Sequence, residues 1–172
     1  MTVFNIRTVR LQSGEQFRDV KEVDLEPLEL GGQRYVPIPE SPEAALTLTR
    51  LSSGLMLELE FEVRLVGPCV RCLADAGLDV TVNDRQYQAT APDGDDDELR
   101  TPYLQDDRLD LSAWARDAVA LALPDQILCR PECAGLCPVC GRDLNLEPHE
   151  HEDEGGDERW AKLAELRDKL SS

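Results

Sequence analysis

The sequence predicts an α+β fold: an antiparallel sheet with one buried helix and zinc-stapled loops. Three observations carry that expectation. Apolar and polar residues alternate in several runs before position 90, one amphipathic segment follows near 110–123, and every cysteine and histidine falls in a few short clusters. No helical pattern separates the alternating runs, so nothing supplies the crossover that parallel strands need.

Residues 3–11 and 34–38 are short strand candidates, and residues 45–51 (ALTLTRL) alternate more clearly. The strongest strand is 55–66, where Leu55, Leu57, Leu59, Phe61, Val63 and Leu65 alternate with Glu58, Glu60, Glu62 and Arg64. A period of two places one face in a core and the other in water. Residues 78–89 repeat the alternation more weakly. Cys69 and Cys72 lie between these two strands, after Gly67-Pro68 and before Gly77, which is a hairpin tip.

Residues 91–107 turn polar, with Asp95, Asp96, Asp97 and Glu98 in one run. The run lacks the spaced ligands and glycine of a calcium loop and reads as a solvated connection. A helix is expected from Asp110, capped by Asp110 or Ser112, with Leu111, Trp114, Ala115, Ala118, Val119 and Ala122 on one face. Pro124 ends it. Trp114 reads as a core anchor. After the last cysteines an acidic, glycine-broken linker leads to a short helix at 157–170, with Trp160, Leu163, Ala164 and Leu170 on a stripe. The expected organisation is a zinc-binding domain over 1–151, then an acidic linker and short C-terminal helix over 152–172.

Length and charge set the class. A chain of 172 residues is long enough to bury a core of its own. A net charge of −17 opposes direct binding to naked nucleic acid or an anionic membrane and suits a basic partner. The opening residues carry no apolar run long enough for a signal peptide or membrane span, and no later window does. The expected compartment is therefore the reducing cytoplasm, where closely spaced cysteines hold metal more often than they form disulfides.

Cys69, Cys72, Cys129, Cys133, Cys137 and Cys140 are the cysteines, and His149 and His151 the histidines. Thiolates and imidazoles at such short spacings are what tetrahedral zinc requires. Pro138 fixes the turn in CPVCG, and Gly141 permits the positive φ that follows. Three pairings of these half-sites stand open. One site could join Cys69/Cys72 to Cys137/Cys140, or Cys129 to Cys140 could form a compact four-cysteine site. A third arrangement uses all eight ligands in two sites: Cys69, Cys72, Cys129 and Cys133, then Cys137, Cys140, His149 and His151. It implies about two zinc ions, since structural sites take four ligands each. Arg71, Arg130 and Arg142 sit inside the cysteine clusters. They either offset thiolate charge or form a small patch for RNA phosphates.

Together these residues identify a family. The helix LDLSAWARDAVALALP running into CRPECAGLCPVCGRDLN, with a C-x-R-C-L turn after a long alternating strand, resembles the YceD family of large ribosomal RNA subunit accumulation proteins. The resemblance covers residues 20–151. In many relatives a C-x-C follows the GLCPxCGxxLN core where this chain has His149-Glu150-His151, while other relatives lack the second cluster. The resemblance implies a non-catalytic ribosome-biogenesis factor. Its expected partners are a pre-large-subunit particle, a basic ribosomal protein or 23S ribosomal RNA, with no membrane and no small-molecule substrate.

Rival chemistries fit less well. A thiol oxidoreductase places C-x-x-C at a helix start in a βαβ unit, whereas Cys69 falls between strands and Cys140 precedes Gly-Arg-Asp. A hydrolytic zinc site keeps one open position and a neighbouring base, and cysteine-rich ligation fills the shell instead.

Overall fold

The computed structural model describes residues 1–90 and 100–151. Nine strands and one α-helix occur among them: β1 (Val3–Asn5), β2 (Gln16–Glu22), β3 (Leu28–Leu30), β4 (Gln33–Ile38), β5 (Glu43–Arg50), β6 (Gly54–Pro68), β7 (Asp75–Ala89), β8 (Leu104–Gln105), β9 (Arg108–Asp110) and α1 (Leu111–Leu121). A six-stranded sheet runs β2-β5-β6-β4-β3 with β7 on β6, and a three-stranded sheet runs β1-β9-β8. Every strand pairing is antiparallel. The fold is thus mostly antiparallel sheet with one helix, so the α+β expectation holds roughly and overstates the helix, which spans 11 residues.

The long hairpin of β6 and β7 organises the sheet. Each strand has 15 residues, paired from Gly54↔Ala89 to Pro68↔Asp75. The alternation read in the sequence sets the faces: Leu57, Leu59, Phe61, Val63 and Leu65 are buried while Glu60, Glu62 and Arg64 are exposed. The opposite edge of β6 is shared, with β5 pairing its first half and β4 its last residues. Leu46 and Leu48 of β5 and Val80 and Val82 of β7 extend the core.

The helix α1 closes over β7. Asp110 is its N-cap, accepting the Ala113 N–H at 3.0 Å, as its side chain and extended backbone dictate. Trp114 is fully buried and stacks on Tyr103 at 6.1 Å, and its indole N–H donates to Asp84 on β7. The expectation of a core anchor is met, with a polar tether added, because a buried indole N–H needs an acceptor.

The expected strands at 34–38, 45–51, 55–66 and 78–89 are found, each a little longer. The run 3–11 breaks after three residues into a 3-10 turn at Ile6–Thr8, where Asn5 accepts the Arg7 N–H and caps the turn. β2 had no period-two signal. Its inner face is Phe17, Asp19 and Lys21, with Lys21 paired to Asp19 and its ammonium over the Phe4 ring, while apolar Val20 is 58% exposed. The polar stretch 91–107 contains β8, and its residues 91–99, like the helix expected at 157–170, lie outside the described residues. Two compact units divide the chain, Met1–Cys133 and Ala134–Ser172.

Candidate metal centres

The first unit builds one centre from the β6–β7 tip and the segment after α1. In the tip, Cys69 N–H donates to Ala74 O at 2.7 Å and Leu73 N–H to Cys69 O at 3.0 Å. This tight loop requires Leu73 to adopt φ +62°. Gly67 lies under the ring of Tyr35, so close that a Cβ there would sit 2.5 Å from it. The fully buried Tyr35 then donates its phenol to Pro68 O at 2.8 Å, fixing the carbonyl just before Cys69.

Hydrogen bonds from two residues of the tip bring the second pair of cysteines. Val70 N–H donates to Ile127 O at 3.0 Å. The Arg71 guanidinium donates to Gln126 Oε1 at 2.9 and 3.1 Å and to Cys133 O at 3.1 Å. Cys69 Sγ lies 3.8 Å from Cys133 Sγ, and Cys72 Sγ lies 3.6 Å from Cys129 Sγ. All four sulfurs are within 4.8 Å of one another.

A regular tetrahedron of thiolates about 2.3 Å from zinc has edges of about 3.8 Å, so the observed spacing fits the ion. It is far from the roughly 2.05 Å of a disulfide, and none of the six cysteines is disulfide-bonded. The electrostatics agree. Burial raises the Cys69 thiol most strongly, but the backbone N–H groups of Cys129, Cys72 and Arg71 outweigh it and hold the thiol at about 6. Cys72 receives the Ala74 N–H, which favours its thiolate, yet burial and the three neighbouring sulfurs push it up to about 12. Four thiols crowded together cannot all ionise without a cation.

The second unit repeats the tip geometry. Cys137 N–H donates to Arg142 O at 2.7 Å and Gly141 N–H to Cys137 O at 2.8 Å, with Gly141 at φ +73°. The two turns share one scheme, with Gly141 where the first has Leu73. Asp143 and Asn145 brace the loop: Asn145 N–H donates to Asp143 Oδ1 at 2.8 Å, and Asn145 Oδ1 accepts the Ala134 N–H at 2.8 Å.

His149 faces the pair. Its Nε2 is 3.1 Å from Cys140 Sγ, and its Nδ1 donates to Glu147 O at 2.7 Å. That carbonyl fixes the tautomer and leaves the Nε2 lone pair for a metal. The same bond, with Cys137, raises the His149 pKa. Cys137 is held at about 6, first by the Cys140 N–H. The donor atoms of Cys137, Cys140, His149 and His151 all lie within 4.8 Å of one another.

The structure therefore gathers the eight candidate ligands as two groups of four, either of which could hold a metal ion. The arginines fall differently. Arg71 is engaged in the hydrogen bonds described, Arg142 pairs with Glu147 at 3.2 Å, and Arg130 offers its carbonyl to the Cys133 N–H at 3.1 Å. Sequence reasoning missed Tyr35, Gln126, Asp143 and Asn145. The first two are remote in sequence from what they support. The last two stood inside the GLCPxCGxxLN pattern, where a polar pair two residues apart is a turn signal.

Fold and sites define a class: an antiparallel-sheet protein with two four-donor centres fit for metal, one joining its hairpin tip to the segment after α1 and one within residues 137–151. Residues 57–167 match the family described as Large ribosomal RNA subunit accumulation protein YceD, and the chain belongs to that family. An uncharacterized protein of Mycobacterium tuberculosis is 38% identical over 125 residues, 70% of this chain and 59% of its own length. One of Mycobacterium leprae is 36% identical over 106 residues, 59% of this chain and 48% of its own length. The maize protein named Large ribosomal RNA subunit accumulation protein YCED homolog 1, chloroplastic, is 40% identical over 62 residues, 33% of this chain and 21% of its own length. The chain thus spans 59% or less of these relatives. No solved structure matches. No helix among the described residues is long and apolar enough to cross a membrane.

Proposed function

We propose that this protein is a non-catalytic factor for ribosome biogenesis in the cytoplasm, supporting accumulation of the large-subunit (23S) ribosomal RNA. The match over residues 57–167 to a family described by that role carries the reading, and the name of the maize relative is consistent with it. Cys69, Cys72, Cys129 and Cys133 would hold one zinc ion, and Cys137, Cys140, His149 and His151 another. Bound there, zinc supplies a cross-link between loops, because four protein ligands leave no position for a reacting water. The rest is done by the chain: Tyr35 and Arg71 hold the first tip rigid, and Asp143 and Asn145 the second. Such rigid loops suit a contact surface for a pre-large-subunit particle, through a basic ribosomal protein or through RNA phosphates at Arg71, Arg130 and Arg142.

The test is to purify the tagged chain under mild salt and to deplete it in its host. The expected outcome is co-purification of pre-large-subunit particles, with 23S falling relative to 16S RNA on depletion. Recovery of a single unrelated protein, with both RNAs unchanged, would reassign the chain as a zinc-stapled interaction module outside ribosome assembly.

A further inference from the structure

The outer edge of β7 carries no strand among the described residues. Among the described residues only β6 pairs with this strand, over its full length of 15 residues. Two bonds fix the phase of the ladder: Cys69 N–H donates to Ala74 O at 2.7 Å at one end, and Thr90 N–H to Ser53 O at 3.0 Å at the other. In an antiparallel pair bonded and non-bonded positions alternate. The even-numbered residues of β7 therefore bond β6. The odd ones, Gly77, Asp79, Thr81, Asn83, Arg85 and Tyr87, turn their N–H and C=O groups to the open edge. Asp79, Thr81, Asn83 and Arg85 are exposed on the sheet face away from the core. Edges this long are normally covered, shortened or broken by proline, and β7 contains no proline.

The charges along this edge are self-complementary. With a two-fold axis at Val82, Asp79 of each copy falls opposite Arg85 of the other, and Thr81 opposite Asn83. Moving the axis to Thr81 sets Asp79 against Asn83 and Gly77 against Arg85, and moving it to Asn83 sets Asp79 against Tyr87. Of these three registers only the first matches the charges; an axis at Val80 would also pair Asp75 with Arg85, but it sets Asp79 against Thr81 and leaves it without a cationic partner in the second copy. Within one chain, Asp79 already receives Arg64 at 2.9 Å, and Arg85 already donates to Glu58 at 2.8 Å. The first register would therefore line up Arg64, Asp79, then Arg85 and Glu58 of the second copy, alternating in sign across the seam. The row is locally neutral, so it adds nothing to the repulsion between two chains of net charge −17.

We propose that two copies of this chain associate through β7, edge to edge and antiparallel about Val82, into one continuous sheet. The seam is isologous and closed, since each β7 has a single open edge. Main-chain hydrogen bonds supply the attraction, and the Asp79–Arg85 pairs fix the register.

Sedimentation velocity over a concentration series tests the proposal. The mass should rise from 19.2 kDa toward twice that value. Amide exchange should slow at Asp79, Thr81, Asn83 and Arg85 as the dimer forms, with the even-numbered amides protected throughout. Arg85→Asp alone and Asp79→Arg alone should each remain monomeric. An equimolar mixture of the two should dimerise, because every introduced charge then faces its opposite, and this rescue also shows that both variants fold. A monomer at every concentration, a dimer indifferent to either reversal, or unaltered exchange at the four odd amides would overturn the proposal.

Discussion

Leu73 and Gly141 occupy the same place in two copies of one turn, and only one of them suits it. Both have positive φ, at +62° and +73°, a region where a side chain strains the backbone by about 1–2 kcal/mol. Leu73 gains little in return, being 55% exposed. Leu73→Gly should therefore be tolerated, with stability changed by less than about 1 kcal/mol because relief of strain is offset by a freer unfolded chain. Gly141→Ala should cost about 1 kcal/mol although nothing lies within 4 Å of the added methyl group. Gly67→Ala is the contrasting case, a close approach instead of a special φ. Its Cβ would meet the Tyr35 ring at 2.5 Å and Arg34 O at 2.7 Å, for a loss of about 1–3 kcal/mol. Chemical denaturation of the three variants separates these causes. A stabilised Gly141→Ala protein would refute the shared geometry of the turns.

At the level of elements, the strands were legible where one face is wholly apolar, as in β6, and illegible where charge pairs line the inner face, as in β2. Asp19 and Lys21 neutralise one another there, and no periodicity of hydrophobic residues reports such a pair. The cysteine half-sites were legible as turns, but their partners depended on how the segment after α1 returns to the β6–β7 tip, which spacing does not encode. The docking of α1 has a pH signature. Burial first, then Asp117 and Asp84, push the Tyr103 phenol up to about 12. A pKa raised on folding contributes stability that is complete below the unfolded value near 10 and is lost as pH rises through the folded one. Between roughly pH 10 and 12 the native protein should therefore lose stability faster than Tyr103→Phe. Denaturation midpoints across that range would show it, and parallel slopes would mean the phenol is free to ionise. Metal content tests the centres as elements. Protein purified without chelator should carry about two zinc ions per chain, and joint replacement of His149 and His151 by Ala should remove one. Cys69→Ser should instead loosen the sheet from the segment after α1, seen as lost near-ultraviolet dichroism. A content of one ion, unmoved by the histidine replacements, would make the tail histidines bystanders.

For the whole molecule the question is how a chain of net charge −17 would serve the RNA-containing assembly proposed for it. Its long-range field repels bare phosphate and attracts basic proteins, and the attraction is screened over about 10 Å at 0.1 M salt. Part of the acidity lies in 95–98 and 147–158, of which 95–98 and 152–158 fall outside the described residues. Glu60 and Glu62 add to it on the exposed face of β6. Against this stand three arginines near the metal centres, and two of them are already engaged, Arg71 with Gln126 and Cys133 and Arg142 with Glu147. Under the proposed function, the balance favours a basic large-subunit protein, or RNA already coated by one, as the first partner. Binding should then be detectable with isolated basic large-subunit proteins, weaken several-fold from 50 to 200 mM salt, and be weak with naked 23S RNA at either ionic strength. Replacing Arg130 by Gln should leave that protein binding intact, whereas reversing charge at Glu60 and Glu62 should slow association with little change in dissociation. Tight binding to naked RNA, abolished by Arg130→Gln and absent with every basic protein, would transfer the role to the arginines and leave the acidity as a device for solubility alone.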